Sequence, residues 1–332
     1  MEKAKSVVEI YGTQGEMNKQ MTTNCSDLTL RPPRKEKICV IIVTYFPDID
    51  GFRSRLNSIR DQVPRIVIID NTPDDSVQKN LQESDKIKVQ YIHNTINLGL
   101  ASAMNRGARW ALENNYEWAI FFDQDTTVDP NIIASLLETY AMVDNPRVAV
   151  MGCNYYDPTV GKPTFKTKKD NAWEIRLEVI TSGSLISLEA WERVKGFREI
   201  FFIDCVDTDF GLKCSRAGYL VIFSPKVLMT HKIGNTKFRR IFGFPWVRVL
   251  SSDHPPFRKY FRVRNQLIIW SEYFWPYPKW TIKDIMSFTF FMIKELLVDE
   301  RWALQLRFIF LGIMDALSER MDRKIDPSGK LM

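Results

Sequence analysis

Trp118-Ala119-Ile120-Phe121-Phe122-Asp123-Gln124-Asp125 decides how the rest of the chain is read. A short apolar run that ends abruptly in acid reads as a buried parallel strand delivering two carboxylates to a site at its carboxyl end. Side chains alternate along a strand, so Asp123 and Asp125 are expected on one face, with Gln124 turned away. Two like charges beside a buried sheet repel each other and are costly unless a cation lies between them. A hard divalent ion, Mg²⁺ or Mn²⁺, suits such a pair. The alternative is a solvated Asp pair in a turn, with Asp125 capping a helix that begins near Asp129-Pro130.

Outward from this stretch, residues 38–43 form a first apolar strand ending at Thr44-Tyr45, residues 65–69 a second ending at Asp70-Asn71, and residues 89–92 a third. Phe52, Leu56 and Ile59 share one face of a helix over 51–60, and a helix of small residues over 101–112 opens after Asn97-Leu98-Gly99. Strands and helices alternating in this way predict an α/β fold, a Rossmann-like and mostly parallel sheet with helices on both faces. Ligands of such sheets sit beyond the carboxyl ends of the strands, where Thr44-Tyr45, Asp70-Asn71 and Asp123-Asp125 fall.

Those stretches, together with Asn97-Leu98-Gly99-Leu100-Ala101, Asn105 and Gly107, stand in the order and spacing of family 2 glycosyltransferases of the GT-A fold. The resemblance covers about residues 38–270, and the Asp-Gln-Asp form is similar to the bacterial rhamnosyltransferase branch. It implies an inverting, metal-dependent transfer of a sugar, L-rhamnose from dTDP-rhamnose, to a hydroxyl of a lipid-diphosphate-linked saccharide in surface polysaccharide assembly. On this resemblance Asp125 holds Mg²⁺ or Mn²⁺ directly and Asp123 lies near both metal and ribose. Thr44, Tyr45, Asp70, Asn71, Asn97, Gly99 and Gln124 line the nucleotide-sugar site, Gly99 by letting backbone approach the donor. Residues 180–187, with Thr181, Ser182 and Gly183, resemble the family's acceptor-side segment; a bulged strand is the alternative.

Residues 201–210 place three acids, Asp204, Asp207 and Asp209, before a helical pattern that stops at Gly218. Asp204 and Asp207 have the spacing of a helix N-cap and its reciprocal partner, a structural role. The resemblance instead makes Asp207 the catalytic base, kept ionised at a helix N-terminus, with Asp204 and Asp209 in reserve because Val206 replaces the family's Glu. His231, after a strand over 220–223, matches the family's His that completes the metal or diphosphate site. Two other readings compete: a sugar nucleotidyltransferase, which needs a Gly-rich phosphate loop where Thr44-Tyr45-Phe46-Pro47 stands, and a non-catalytic membrane-associated nucleotide-sugar-binding protein.

The bulk composition fits this outline. The chain has 332 residues, 45% hydrophobic and 26% charged, enough for a large core. Its five cysteines show no C-x-x-C spacing and are odd in number, against a disulfide framework or zinc site. Residues 1–36 are expected to be a mobile arm without a signal peptide, 37–235 the catalytic domain, and 236–332 a basic, aromatic and helical region. A cytoplasmic location follows from that reading of the N-terminus. Residues 232–332 hold 18 Lys or Arg against 10 Asp or Glu, which points to an anionic partner. No nucleic-acid motif accompanies them, so nucleic acid is not expected. The apolar stretches 282–297 and 302–317 are interrupted by charges and fall short of a membrane span. They read as amphipathic helices for an anionic membrane surface, with attachment to the cytoplasmic face of the inner membrane through 238–320. Packing on the catalytic domain or on another subunit, making a homo-oligomer, is the alternative.

Overall fold

The computed structural model describes residues 28–81, 88–166, 171–231, 236–240, 248–252, 254–299, 301–318 and 320, the side chains of 236–240 and 248–252 excepted. Strand β1 (Ile38–Thr44) lies between β2 (Arg65–Asp70) and β4 (Trp118–Asp123), and β3 (Val89–His93) borders β2, all four parallel. Helices α1 (Ile49–Arg60), α2 (Ser76–Lys79) and α3 (Leu100–Glu113) make the crossovers. Alternation along the strands divides the core in two. Cys39, Ile41, Val67, Ile69, Ala119 and Phe121 face α3, whereas Val40, Ile42, Ile66, Ile68, Ile120 and Phe122 face Phe52, Leu56 and Ile59 of α1. Both faces of these strands are apolar, as a doubly covered parallel sheet requires.

Beyond β4 the sheet becomes mixed. β5 (Thr127–Val128) and α4 (Ile132–Val143) lead to β6 (Val148–Asp157), followed by the short β7 (Lys162–Pro163) and β8 (Glu174–Arg176). β9 (Ser184–Ser187) runs antiparallel between β4 and β6, and β10 (Leu220–Thr230) is parallel to β6. Between β9 and β10 come α5 (Leu188–Arg193) and α6 (Val206–Arg216). β11 (Thr236–Arg240) and β12 (Arg248–Ser252) pair as a separate antiparallel hairpin. Three helices close the described chain: α7 (Arg258–Tyr273), α8 (Pro278–Val298) and α9 (Trp302–Leu317).

Two expectations change. Residues 28–36 are docked rather than mobile: Leu30 is buried, its N–H donates to Pro146 O, and Arg31 and Arg34 pair with Glu117 at 3.3 and 2.9 Å. An apolar plug flanked by two cations that share one carboxylate is enough to fix a short segment; residues 1–27 lie outside the described residues. Residues 258–264, part of the 238–320 stretch expected at the membrane, are instead the start of α7, packed against α9. Gly312 of α9 allows that crossing, since a side chain there would meet Tyr260 O at 2.7 Å, and the Tyr260 hydroxyl donates to Asp315 at 2.8 Å.

Candidate active site

β4 stops at Asp123, and the chain turns at Gln124-Asp125. Strand alternation therefore does not carry through Asp125, and Gln124 is not turned away from the site. Its Oε1 accepts from Tyr45 N at 2.7 Å and its Nε2 donates to Tyr45 O at 3.2 Å, tying the ends of β1 and β4 together. The two aspartates are brought together instead by His231, which follows β10. Its Nε2 lies 3.7 Å from Asp123 Oδ2 and its Nδ1 3.8 Å from Asp125 Oδ1. One donor atom from each of the three falls within 4.8 Å of the others. The imidazole is held by Thr126 Oγ1 at 3.0 Å and by the edge-on Tyr155 ring at 5.6 Å. Burial pushes the Asp123 carboxyl up, His231 opposes this and Asp125 adds to it. A cation would relieve that strain, and two carboxylate oxygens with an imidazole are a donor set that Mg²⁺ or Mn²⁺ accepts. Asp125 is not the cap of α4: Asn131 occupies that position, and Asp129 Oδ1 accepts from Asn131 N at 2.8 Å.

The three side chains lie in a cleft of about 1050 Å³. Thr44, Tyr45, Asn71, Asn97, Gly99, Gln124, Thr181, Ser182 and Asp207 also line it. Ser182 Oγ accepts from Asp123 N at 3.2 Å and meets Thr126 Oγ1 at 2.7 Å, so the 180–187 segment braces the Asp123 end of β4 from behind. Two of the expected residues do not reach the cleft. Asp70 is fully buried, its carboxylate taken by the Thr44 hydroxyl at 2.8 Å, the Tyr91 hydroxyl at 2.6 Å and Thr72 N at 3.0 Å. Gly183 lies behind Ser182, its N–H on Phe121 O at 2.8 Å. Gly99 has a different reason from the one expected: at φ +83° a side chain would strike the Phe202 ring at 2.5 Å, so the close approach is to that loop.

The Phe202 loop carries the remaining acids. Phe202, Asp204 and Cys205 have φ of 59°, 64° and 61°, strained values for residues with side chains. α6 starts at Val206 with Cys205 at its N-cap, so Asp204 caps nothing. Arg258 grips the Asp204 carboxylate through Nε at 3.1 Å and Nη2 at 2.7 Å, with Arg262 at 3.5 Å. Burial opposes ionisation of Asp204, but the two guanidiniums outweigh it and hold the carboxyl at about 2. Asp209 is fully buried and pairs with Arg198 at 2.9 Å. Asp207 alone of the three faces the cleft with no cationic partner among the described residues. Burial raises it to about 6, against the pull of the Thr208 N–H, while the charges of Asp204 and Asp123 add to the rise. It is ionised at neutral pH, by a narrower margin than the helix N-terminus alone implies.

Residues 39–210 match the model of Glycosyl transferase family 2. The chain belongs to that family. This glycosyltransferase is 30% identical over 246 residues, 70% of its length and 79% of the other's, to the dTDP-rhamnosyl transferase RfbF of Shigella flexneri. It is also 30% identical over 112 residues to an undecaprenyl-phosphate mannosyltransferase of Micrococcus luteus, covering 32% of this chain and 46% of that protein. The crystal structure of GalNAc-T7 with UDP, GalNAc and Mn²⁺ superposes with a TM-score of 0.54 at 14% identity, covering 90% of this chain and 59% of that one. At that identity the likeness carries the fold alone, and the fold is GT-A.

In this family 2 glycosyltransferase the far wall of the cleft comes from α7 and α8, with Arg258, Arg262, Gln266, Asp284, Ser287, Phe288, Phe291 and Lys294. Arg258 and Arg262 fall within the 238–320 stretch expected at the membrane, but they line the cleft. The i, i+4 spacing of Arg258 and Arg262 was the available signal that both point to one side of a helix. Asn265 was missed altogether. Fully buried, it donates its side-chain amide to Phe201 O, Ile203 O and Asp204 O, each at 3.0 Å.

Proposed function

We propose that this glycosyltransferase is an inverting, metal-dependent enzyme that moves L-rhamnose from dTDP-rhamnose to a hydroxyl of a lipid-diphosphate-linked saccharide in bacterial surface polysaccharide assembly. The observation that carries the reading is that Asp207, which has no cationic partner among the described residues, and the Asp123, Asp125 and His231 group line one cleft. Mg²⁺ or Mn²⁺ held by those three residues would supply positive charge to the departing nucleoside diphosphate. Thr44, Tyr45, Asn71, Asn97 and Gly99 offer the nucleotide a pocket at the ends of β1 and β2. Asp207 takes the proton of the acceptor hydroxyl as its oxygen attacks the anomeric carbon, and the bond to the diphosphate breaks on the opposite side. The configuration inverts, and the electron pair leaves with the diphosphate.

The named relatives support the donor and the carrier: one is a dTDP-rhamnosyl transferase and the other an undecaprenyl-phosphate mannosyltransferase. Work at a membrane surface is supported by the outer faces of α8 and α9. Ile282, Met286, Phe290 and Ile293 are exposed on α8, and Trp302, Leu306, Phe310 and Leu317 on α9. Lys279, Lys283 and Arg307 are exposed beside them. No helix among the described residues is long and apolar enough to cross a membrane, and an apolar face flanked by cations suits attachment to an anionic cytoplasmic leaflet. The test is nucleotide release from a panel of nucleotide sugars with Mg²⁺ or Mn²⁺. Release that is fastest with dTDP-rhamnose and abolished by chelator is expected; metal-independent release sinks the mechanism.

A further inference from the structure

α8 has two faces of opposite character. Outward, its apolar side chains are exposed; inward, Asp284, Ser287, Phe288 and Phe291, at i, i+3, i+4 and i+7, form one stripe along the cleft. Two residues of that stripe are held in place from α7. Gln266 Nε2 and Trp270 Nε1 donate to Asp284 Oδ2 at 2.6 and 2.7 Å. The Trp270 ring also meets Phe288 edge-on at 5.3 Å. Asp284 Oδ1 accepts no hydrogen bond among the described residues, so a fixed carboxylate has one oxygen left for a ligand. The Gln266 carbonyl accepts from Cys205 Sγ at 3.3 Å, which links this group to the loop leading into Asp207. Asp207 and Asp284 both raise the Glu178 carboxyl, beneath Thr208, on top of its burial, so the two lie within electrostatic reach of one place.

A pyranose ring presents hydroxyl donors around its rim and C–H groups on its faces. A carboxylate oxygen beside two phenyl rings meets both needs. Resting on the transferase reading above, we infer that the Asp284, Ser287, Phe288 and Phe291 stripe of α8 is the subsite for the acceptor saccharide, with Asp284 accepting a hydrogen bond from a sugar hydroxyl. One helix then serves both ends of an amphipathic acceptor: its inner stripe takes the sugar, and its outer stripe lies where the lipid chain runs.

The experiment uses the full-length protein, dTDP-rhamnose, and a lipid extract of the source cells as acceptor, with donor hydrolysis measured separately in its absence. Asp284→Ala removes the free oxygen, and Ser287→Trp fills the subsite from an exposed position that the fold tolerates. Each is expected to raise the acceptor level for half-maximal transfer at least tenfold, a larger change than any in metal-dependent donor hydrolysis. Asp284→Asn, which keeps an accepting oxygen, should lose less than Asp284→Ala. Unchanged half-saturation in both Asp284→Ala and Ser287→Trp would overturn the assignment while leaving the transferase standing. So would donor hydrolysis that falls together with transfer in Asp284→Ala. An unaltered protein that turns over no nucleotide sugar defeats the transferase reading itself.

Discussion

The two walls of the cleft are built in different ways. The wall formed by the ends of β1, β2 and β4 is a product of strand geometry, in which each ligand-facing group follows directly on an apolar run. The opposite wall, from the Phe202 loop, α7 and α8, joins residues more than fifty positions apart through side-chain bonds such as Arg258 to Asp204. The first wall gains its shape from the sheet and tolerates an exposed charge like Asp125. The second depends on buried polar pairs, where removing one partner strands the other. Two aspartates three residues apart record the contrast: Asp204 is held at about 2 by guanidiniums, and Asp207 is pushed up to about 6 by burial.

The strongest break of that comparison is on the strand wall. Asp125→Ala should lower transfer by about three orders of magnitude with the melting temperature unchanged, because the sheet does not need that charge. Asp207→Asn should cost roughly 10²–10⁴ in turnover with nucleotide affinity kept, read from single-turnover kinetics and donor titration. A variant of Asp204 or Asp209 that loses more turnover at equal stability would move the base.

On the second wall the loss should appear first in stability. Arg258→Ala leaves Asp204 buried with only the more distant Arg262 and should cost roughly 2–4 kcal/mol in denaturant unfolding at pH 7. Asp204 is depressed in the fold, so its contribution is present above the ordinary carboxylate value and fades as pH falls through about 2. The gap between parent and variant should therefore narrow from about pH 4 downward. Asp207 has the opposite sign. Its raised carboxyl favours the fold below the ordinary value and loses that advantage as pH rises through about 6. Asp207→Asn should accordingly match its parent below about pH 4 and exceed it at pH 8, by up to about 3 kcal/mol. The rate of the parent should climb with pH to about 6 and level off above it, a limb that Asp207→Asn lacks. The smallest effect concerns the outer face. Neutralising any one of Lys279, Lys283 and Arg307 should weaken salt-sensitive sedimentation with anionic liposomes by a few fold, about 1 kcal/mol for one charge near the surface. A protein that stays in solution at low salt would leave that face for a second subunit.

The strand wall was legible because buried strands announce themselves as apolar runs, and a polar residue at their end has few other places to go. The order β1, β2, β3, β4 and the helices between them follow from that pattern, whereas His231 was placed beside Asp123 and Asp125 only by the family resemblance. The antiparallel β9 did not, since residues 184–187 are too short and too polar for their direction to be read. Asp70 was misplaced because a strand-end acid looks the same in sequence whether it faces a ligand or, as here, Tyr91 and Thr44. Arg258, Asn265 and Asp284 act through partners that only the packing of α7 and α8 supplies, and no local pattern encodes a partner. Arg239, Arg240 and Arg248, expected at the membrane, have side chains outside the described residues.

Asn265 sets a limit on how this protein can be divided. It lies well past residue 210, where the family match ends, and past residue 235, where the catalytic domain was expected to stop. Yet its amide holds three carbonyls of the strained loop that aims Asp207. On the proposed mechanism the smallest fragment able to carry out the reaction should extend through α7, and a chain cut back to the α/β sheet should keep the Thr44, Tyr45 and Asn71 side of the cleft while losing the placement of Asp207.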